Sequence, residues 1–316
     1  MTAGQVRVAV VGAGDVGRGW AAMCVAQGWP VSLFDTDAAA LEHAQQEIAT
    51  RATTLVALER ADAAAAKAGI AQLTVGRSIL HTCGDAQWVI EAGPEDIRTK
   101  QKMFEAIESV AGKARAVTSS SSGLKAADIA ARCVRQERCF VAHPLNPPEL
   151  IPLVELVPGP LTDHALIELV KGWLHALGRI SVVIKKPVPG NVANRIAAAV
   201  WREAIDLVLE GVIDVDDLDR AVSVGPGLGW AAAGPHLTYH LAAGEQGVSG
   251  FLQHLLRTFE TIWEDLPTWS KLELEQQRRL ITLIERAYDG QVSVIRPARD
   301  RRLAAILRGL ELARGE

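Results

Sequence analysis

Residues Val8 to Trp20, VAVVGAGDVGRGW, carry the reading on which the fold rests. An apolar run from Val6 to Val11 leads into Gly12, Gly14 and Gly17 and then into a helix-compatible stretch, Trp20 to Gln27. In such a strand–turn–helix, Gly12 permits the tight turn, Gly14 lets the backbone approach a pyrophosphate, and Gly17 allows close helix packing. The helix amino terminus attracts the phosphates. Glycines cluster in many turns, so context decides. The segment VSLFD ends in Asp35, eighteen residues past Gly17. A carboxylate at the end of a second strand accepts hydrogen bonds from both ribose hydroxyls and repels a 2′-phosphate, which favours NAD over NADP. No Arg or Lys follows within DTDAAALE to reverse that preference. The bland alternative is a structural glycine turn with a solvated aspartate.

Outward from this turn, strand-like runs alternate with Ala-rich stretches: Val31 to Phe34, Trp88 to Ile90, Ala114 to Thr118, Phe140 to Ala142. That alternation predicts an α/β, Rossmann-type doubly wound parallel sheet. Ala38 to Gly69 has no strand signal and reads as an exposed helix or helical hairpin of secondary functional weight. Ile180 to Ile184 is a last short strand, and KKPVPGN, Lys185 to Asn191, breaks regular structure. The expected domains are therefore 1–188, binding NAD, and 189–316, all helical, for substrate binding and dimerisation. Beyond Asn191, Trp201, Ile205, Val208 and Val212 fall at i, i+4, i+7 and i+11, the pattern of one buried helix face. Leu252 to Phe259, Leu272 to Ile284 and Leu303 to Leu312 supply further amphipathic helices. That is more apolar surface than one small unit buries alone, which predicts a homodimer.

Composition narrows the function classes. Across 316 residues, 49% are hydrophobic and 22% charged, the profile of an ordinary globular protein long enough for two domains. A net charge of −4 offers no basic footprint for nucleic acid, and Arg296, Arg299, Arg301 and Arg302 read as one solvated helix face. No apolar run reaches the ~20 residues a membrane helix needs. The amino terminus enters a strand directly without a signal segment, so a cytoplasmic protein with no membrane partner is expected. Cys24, Cys83, Cys133 and Cys139 lack CxxC or CxxH spacing, so no metal site or disulfide framework is expected.

Chemistry is expected at strand carboxyl ends, where open α/β sheets bind ligands. Glu91, Glu95 and Lys100 follow one such end. Glu91 reads as structural; Lys100 either contacts the cofactor or solvates a helix face. His143 follows another strand end, after FVA, in a loop stiffened by Pro144, Pro147 and Pro148. Oxidising a secondary alcohol needs a group that takes the hydroxyl proton as hydride leaves, and histidine has the suitable pKa near neutrality. Glu155 lies between apolar Val154 and Leu156 in an alternating segment, Ile151 to Val157. A half-buried carboxylate there would hold one tautomer of His143 and stabilise the imidazolium. The alternatives are a satisfied structural histidine and an exposed strand glutamate.

HPLNPPELIPLVELVPG, starting at His143, resembles the catalytic segment of the 3-hydroxyacyl-CoA dehydrogenase family, in particular its branch of lambda-crystallin (L-gulonate 3-dehydrogenase) and L-carnitine dehydrogenases. Similar motifs run through the whole chain in order: VGAGDVGRGWA, VTSSSSGL (Val117 to Leu124), PGNVANR (Pro189 to Arg195) and GPGLGWAAAGPHLTYHLAAGEQG (Gly225 to Gly247). The resemblance implies His143 as base and Glu155 as its orienting acid. It also implies Ser122 as the hydroxyl bonded to the reacting oxygen, Asn194 near the carbonyl, Asn146 near nicotinamide and substrate, and Glu95 and Lys100 as cofactor contacts. From the residues alone, Ser122 could equally cap a helix beginning near Leu124 and Asn194 could be a junction loop residue. One departure stands out. Where the polar-substrate branch commonly reads Gly, Leu, Arg, aromatic, this chain reads Gly227, Leu228, Gly229, Trp230, losing an arginine suited to a carboxylate; Arg195, Arg202 or a partner subunit are the alternatives. Trp230 and Tyr239 are candidate walls for a quaternary ammonium, and Trp230 equally a helix-core residue.

The expected activity is NAD-dependent oxidation of a small polar L-3-hydroxy acid, L-gulonate-like or L-carnitine-like. The alternatives are a short-chain 3-hydroxyacyl-CoA dehydrogenase and a non-catalytic, crystallin-like nucleotide-binding protein.

Overall fold

A computed structural model describes residues 5–288 and 292–314. Its contacts divide the chain into two compact units, Met1–Arg195 and Ile196–Glu316.

The first unit begins with β1 (Val8–Val11), α1 (Asp15–Ala26) and β2 (Val31–Phe34), followed by α2 (Ala38–Glu42), α3 (Ala44–Ala57) and α4 (Ala63–Ala71). Then come β3 (Thr74–Val75), α5 (Ile79–Cys83), β4 (Trp88–Glu91), α6 (Ile97–Val110), β5 (Ala116–Ser119), α7 (Ala126–Ile129) and β6 (Cys139–Pro144). The unit ends with β7 (Leu153–Val157), α8 (His164–Ala176), β8 (Ile180–Val183) and the first turn of α9 (Ala193–Leu209). The eight strands form one sheet in the order β3-β2-β1-β4-β5-β6-β7-β8. The first six are parallel, as the alternation of strands and helices requires. β7 runs antiparallel to β6, and β8 follows β7. The chain reverses there because only an eight-residue loop, 145–152, joins β6 to β7, too short for a parallel crossover.

Period-two alternation splits each strand between two cores. Ala9, Val11, Val89, Val117 and Val141 join Phe104 and Ile107 of α6 on one face. On the other, Trp88 meets Trp20 of α1 and Trp173 of α8, each at a centroid distance of 5.6 Å. Both inner indoles find hydroxyl acceptors: Trp20 Nε1 donates to Ser120 Oγ (3.1 Å) and Trp88 Nε1 to Thr118 Oγ1 (2.9 Å). Buried indole N–H groups need such partners.

The stretch Ala38–Gly69 departs from its sequence reading. It forms helices, but Ala44, Ile48, Ala52 and Leu55 of α3 are buried, and α3 and α4 both pack on α1. Every fourth residue here is small or aliphatic, and alanines that look neutral in sequence allow the close approach. Gly69 lies so near the α1 backbone that a Cβ would overlap the Val25 carbonyl oxygen. β3, two residues long, is too short to show a period.

The second unit continues α9 from Ile196 and adds α10 (Val215–Val224), α11 (Pro226–Ala242), α12 (Gly247–Asp265), α13 (Leu274–Ala287) and α14 (Val292–Arg314). Its regular structure is all helical among the described residues. Of the four residues read as one buried α9 face, Ile205 and Val208 are buried, whereas Trp201 is 62% exposed and Val212 68%. Val212 lies past the end of α9, beyond a turn at Gly211 (φ 72°), so the helical spacing no longer applies to it. α11 is interrupted at Gly234 (φ 72°), before Pro235. α11 and α12 pack through Tyr239, whose ring lies 5.0 Å from Phe251 and 5.5 Å from Phe259. No helix among the described residues is long and apolar enough to cross a membrane.

Replacing Gly69 by Ala should lower unfolding stability by about 1–3 kcal/mol through overpacking against a fixed carbonyl. Urea denaturation measures it; an unchanged midpoint would mean that α4 does not press on α1.

Candidate active site

The turn after β1 lines a cavity of ≈ 1060 Å³ whose walls include Gly12, Gly14, Asp35, Glu95, Lys100 and Ser122. Gly12 holds φ +116°, a conformation L side chains rarely adopt, and a Cβ there would overlap the Ala92 carbonyl oxygen. A Cβ at Gly17 would overlap the Gly12 carbonyl oxygen, so this glycine sets how closely α1 approaches the turn. At Gly14 a Cβ would meet nothing within 4 Å, which leaves the backbone open to the cavity. Asp35 is fixed by backbone donors: Ala13 N–H to Oδ2 (2.6 Å) and Asp37 N–H to Oδ1 (2.9 Å). Each carboxylate oxygen keeps a lone pair for a further donor. A bare glycine backbone at a helix amino terminus and a carboxylate fixed at the end of β2 fit an NAD pyrophosphate and ribose.

Beneath this cavity lies a buried polar network with only a faint sequence signal. Lys100 does not solvate a helix face: its side chain is 1% exposed and its Nζ donates to Glu91 Oε1 (2.9 Å), Glu91 Oε2 (3.1 Å) and the Gly93 carbonyl (3.2 Å). Glu91 also accepts from Ser119 Oγ (2.5 Å) and Gly93 N–H (2.7 Å). Glu95 lies 3.5 Å from Lys100 Nζ and accepts from Ser121 Oγ (2.6 Å), Ser122 N–H and Gly123 N–H (both 3.1 Å).

The four serines thus have distinct partners. Ser119 binds Glu91, Ser120 binds Trp20, and Ser121 binds Glu95 while accepting from Leu124 N–H (2.9 Å). Ser122 is not a helix cap: α7 starts at Ala126 behind Lys125 without a side-chain cap, Ser121 closes the turn before it, and the Ser122 hydroxyl has no hydrogen bond among the described residues. Only the run SSSS hinted at a shared loop; which serine does what depends on the turn.

His143 and Glu155 are direct partners across the antiparallel β6–β7 ladder. Such pairs share one face of a sheet. His143 Nδ1 and Glu155 Oε2 are 2.8 Å apart, with the residues 5% and 1% exposed. The reading of Glu155 as an exposed strand residue therefore falls. Its Oε1 accepts from Val192 and Ala193 N–H, both at 2.9 Å, at the start of α9. The helix amino terminus and the imidazole together stabilise the buried carboxylate. Nε2 makes no hydrogen bond among the described residues.

Asn194 follows Ala193 directly. A Cβ at Gly123 would sit 3.6 Å from Gly190 N, which brings the serine loop beside the turn leading to Asn194. Asn146 is exposed in the loop after β6. Trp230 and Tyr239 belong to the second unit, both half-buried, Tyr239 within the aromatic packing of α11 and α12. All four cysteines are free and buried; burial pushes the Cys24 and Cys83 thiols up to about 12, which removes them as thiolate nucleophiles. No group of metal-ligating side chains occurs among the described residues.

Comparison with known proteins places these features in context. The sequence model of the 3-hydroxyacyl-CoA dehydrogenase NAD-binding domain matches residues 7–187, and that of the family's C-terminal domain matches residues 190–281. An L-carnitine dehydrogenase of Streptomyces coelicolor is 33% identical, with 96% of this chain and 94% of that protein aligned. One from Burkholderia mallei is 38% identical over 82% of this chain and 79% of its own. Among solved structures, 5-formyl-3-hydroxy-2-methylpyridine 4-carboxylic acid 5-dehydrogenase, described as an NAD⁺-dependent dismutase, superposes with a TM-score of 0.81 at 29% identity, covering 97% of this chain and 99% of that one.

Removing one partner of a buried ion pair leaves the other charge uncompensated, so Lys100→Met should cost about 3–5 kcal/mol of unfolding stability. Adding Glu91→Leu should restore most of it. Equal losses in the single and double variants would show that Lys100 and Glu91 are not coupled.

Proposed function

The chain belongs to the 3-hydroxyacyl-CoA dehydrogenase family, and is thus an NAD-dependent oxidoreductase; from that premise we propose that it oxidises a small polar L-3-hydroxy acid, L-carnitine-like or L-gulonate-like, to the 3-keto product. The observation that carries this reading is the Nδ1–Oε2 contact of His143 with Glu155, which engages Nδ1 and leaves Nε2 without a hydrogen bond among the described residues. NAD, when bound, supplies the hydride acceptor. His143 Nε2 takes the proton of the substrate hydroxyl, and Glu155 holds the ring and stabilises the imidazolium that forms. The second oxygen of Glu155 is held by two amides at the start of α9, which fixes the carboxylate against the ring. The unpartnered Ser122 hydroxyl and the Asn194 amide hold the reacting oxygen, and Asn146 borders nicotinamide and substrate. Gly12, Gly14 and Gly17 shape the pyrophosphate turn, Asp35 receives the ribose hydroxyls, and Glu95 and Lys100 form the cavity floor.

Residues 1–188 serve as the NAD-binding domain and 189–316 as the substrate-binding and dimerisation domain. Trp230 and Tyr239 are the aromatic substrate-pocket candidates of the second unit, side chains that suit a quaternary ammonium by cation–π attraction. L-carnitine dehydrogenase relatives favour that substrate over L-gulonate. Dimerisation is supported by large apolar side chains of the helical unit left in solvent, among them Trp201, Leu241, Trp263 and Leu274. A cytoplasmic location accords with four free, buried thiols.

Absorbance at 340 nm with L-carnitine, L-gulonate, L-3-hydroxybutyrate and 3-hydroxybutyryl-CoA, each with NAD and NADP, tests the substrate. Turnover of L-carnitine or L-gulonate with NAD is expected; preference for the CoA ester would make the chain a short-chain 3-hydroxyacyl-CoA dehydrogenase, and NADH binding without any turnover a crystallin-like protein. His143→Gln should cut kcat by roughly 10²–10⁴ while leaving NADH affinity nearly unchanged. Retained turnover would remove His143 from the proton step. Light scattering should give twice the 33.9 kDa chain mass; a monomer would remove the dimer.

A further inference from the structure

Arg51 of α3 lies outside the residues assigned above, yet it touches both halves of the proposed machinery. Its guanidinium pairs with the Asp15 carboxylate, and its Nη1 donates to the Asp15 carbonyl and to Glu149 Oε1, each at 3.3 Å. Asp15 is the first residue of α1, directly after Gly14, and lines the dinucleotide cavity. Glu149 sits in the loop between β6 and β7, three residues past Asn146. The Arg51 side chain is 18% exposed and that of Glu149 12%, so solvent screens this contact only in part.

Further contacts tie the same loop to its surroundings. Buried Arg179 donates through Nη1 to the carbonyls of Pro148 (3.4 Å), Glu149 (3.2 Å) and Ile151 (3.5 Å). Leu150 and Ile151 N–H both bond the Pro147 carbonyl at 3.0 Å. At Gly19 of α1 a Cβ would come within 2.8 Å of Glu149 Oε2 and 2.9 Å of Pro148 Cδ, so the loop rests on α1. Glu149 Oε2 is buried without a hydrogen-bond partner among the described residues, so the carboxylate is held through Oε1, which pairs with Arg51. A carboxylate half stripped of partners depends strongly on the one it keeps.

We propose that Arg51 is a positioning residue that couples the pyrophosphate turn to the Asn146 loop, so that dinucleotide binding at α1 also orders residues 144–152. The inference rests on the reading of the cavity as the NAD site and of the Asn146 loop as part of the active site. A phosphate at the α1 amino terminus fixes Asp15; Asp15 fixes the guanidinium, and the guanidinium fixes Glu149 and its loop. The helical segment 38–71 thus connects cofactor and catalytic loop.

Hydrogen–deuterium exchange of the full chain with and without saturating NADH reads this coupling without a known substrate. In the wild type, NADH should slow exchange around residues 12–20 and, by at least about threefold, in the 143–153 peptide that contains the Leu150 and Ile151 amides. Arg51→Met should keep NADH protection at 12–20 and lose it at 143–153, and Arg51→Lys should recover part. Glu149→Gln, which leaves the Arg51–Asp15 pair intact, should likewise lose the second effect, and it decides the matter should Arg51→Met fail to fold. Equal slowing of 143–153 in wild type and both variants, or none in the wild type despite protection at 12–20, would overturn the coupling. Absence of protection at 12–20 would instead sink the NAD site and the coupling with it, whereas failure of every substrate tested would strike the proposed activity alone.

Discussion

The antiparallel register of β6 and β7 is the constraint on which the site depends. It places His143 opposite Glu155, and because side chains alternate along a strand, a slip of one residue would send Glu155 to the other face of the sheet. The carboxylate then works in two directions, toward the imidazole with one oxygen and toward the first amides of α9 with the other. A buried charge so divided is fully partnered, which is what makes burying it tolerable. It also fixes the start of the helix on which Asn194 lies.

The same economy recurs under the dinucleotide cavity. Glu91 and Lys100 neutralise one another at the end of β4, and Glu95 shapes the serine loop through three hydrogen bonds. Each acid near the cavity thereby ties a strand end to the loop that follows its neighbour. The tryptophan trio of α1, β4 and α8 holds the opposite face of the sheet, and Trp20 reaches through to Ser120, so core packing and serine loop share a side chain.

Features governed by short-range rules were legible in the sequence. Strand-like runs alternating with helical stretches, the glycine turn with Asp35 and the strand-end position of His143 follow from local pattern and turn chemistry, and the structure displays each. The proximity of Glu155 to His143 was legible because a short proline-rich loop separates two apolar runs. Features set by long-range packing were hidden. The alanines of α3 and α4 give no sign that α1 will cover them, and Arg51 looks like one more surface cation until Asp15 and Glu149 arrive beside it. Lys100 could not be told from a solvated lysine because its burial depends on Glu91 nine residues earlier in the next layer. Trp201 fits a helical stripe by spacing, yet spacing does not say which stripe of a helix finds a partner.

The central claim is that Glu155 fixes the tautomer of His143, keeping the proton on Nδ1 and Nε2 free to accept one. Proton NMR of the imidazole ring in the NADH complex, with nitrogen-15 labelled histidine, tests it most directly. A downfield Nδ1–H resonance, protected from exchange, is expected, and it should disappear in Glu155→Ala while the chain stays folded. A His143 ring protonated on Nε2 instead, or an Nδ1–H signal indifferent to Glu155, would contradict it.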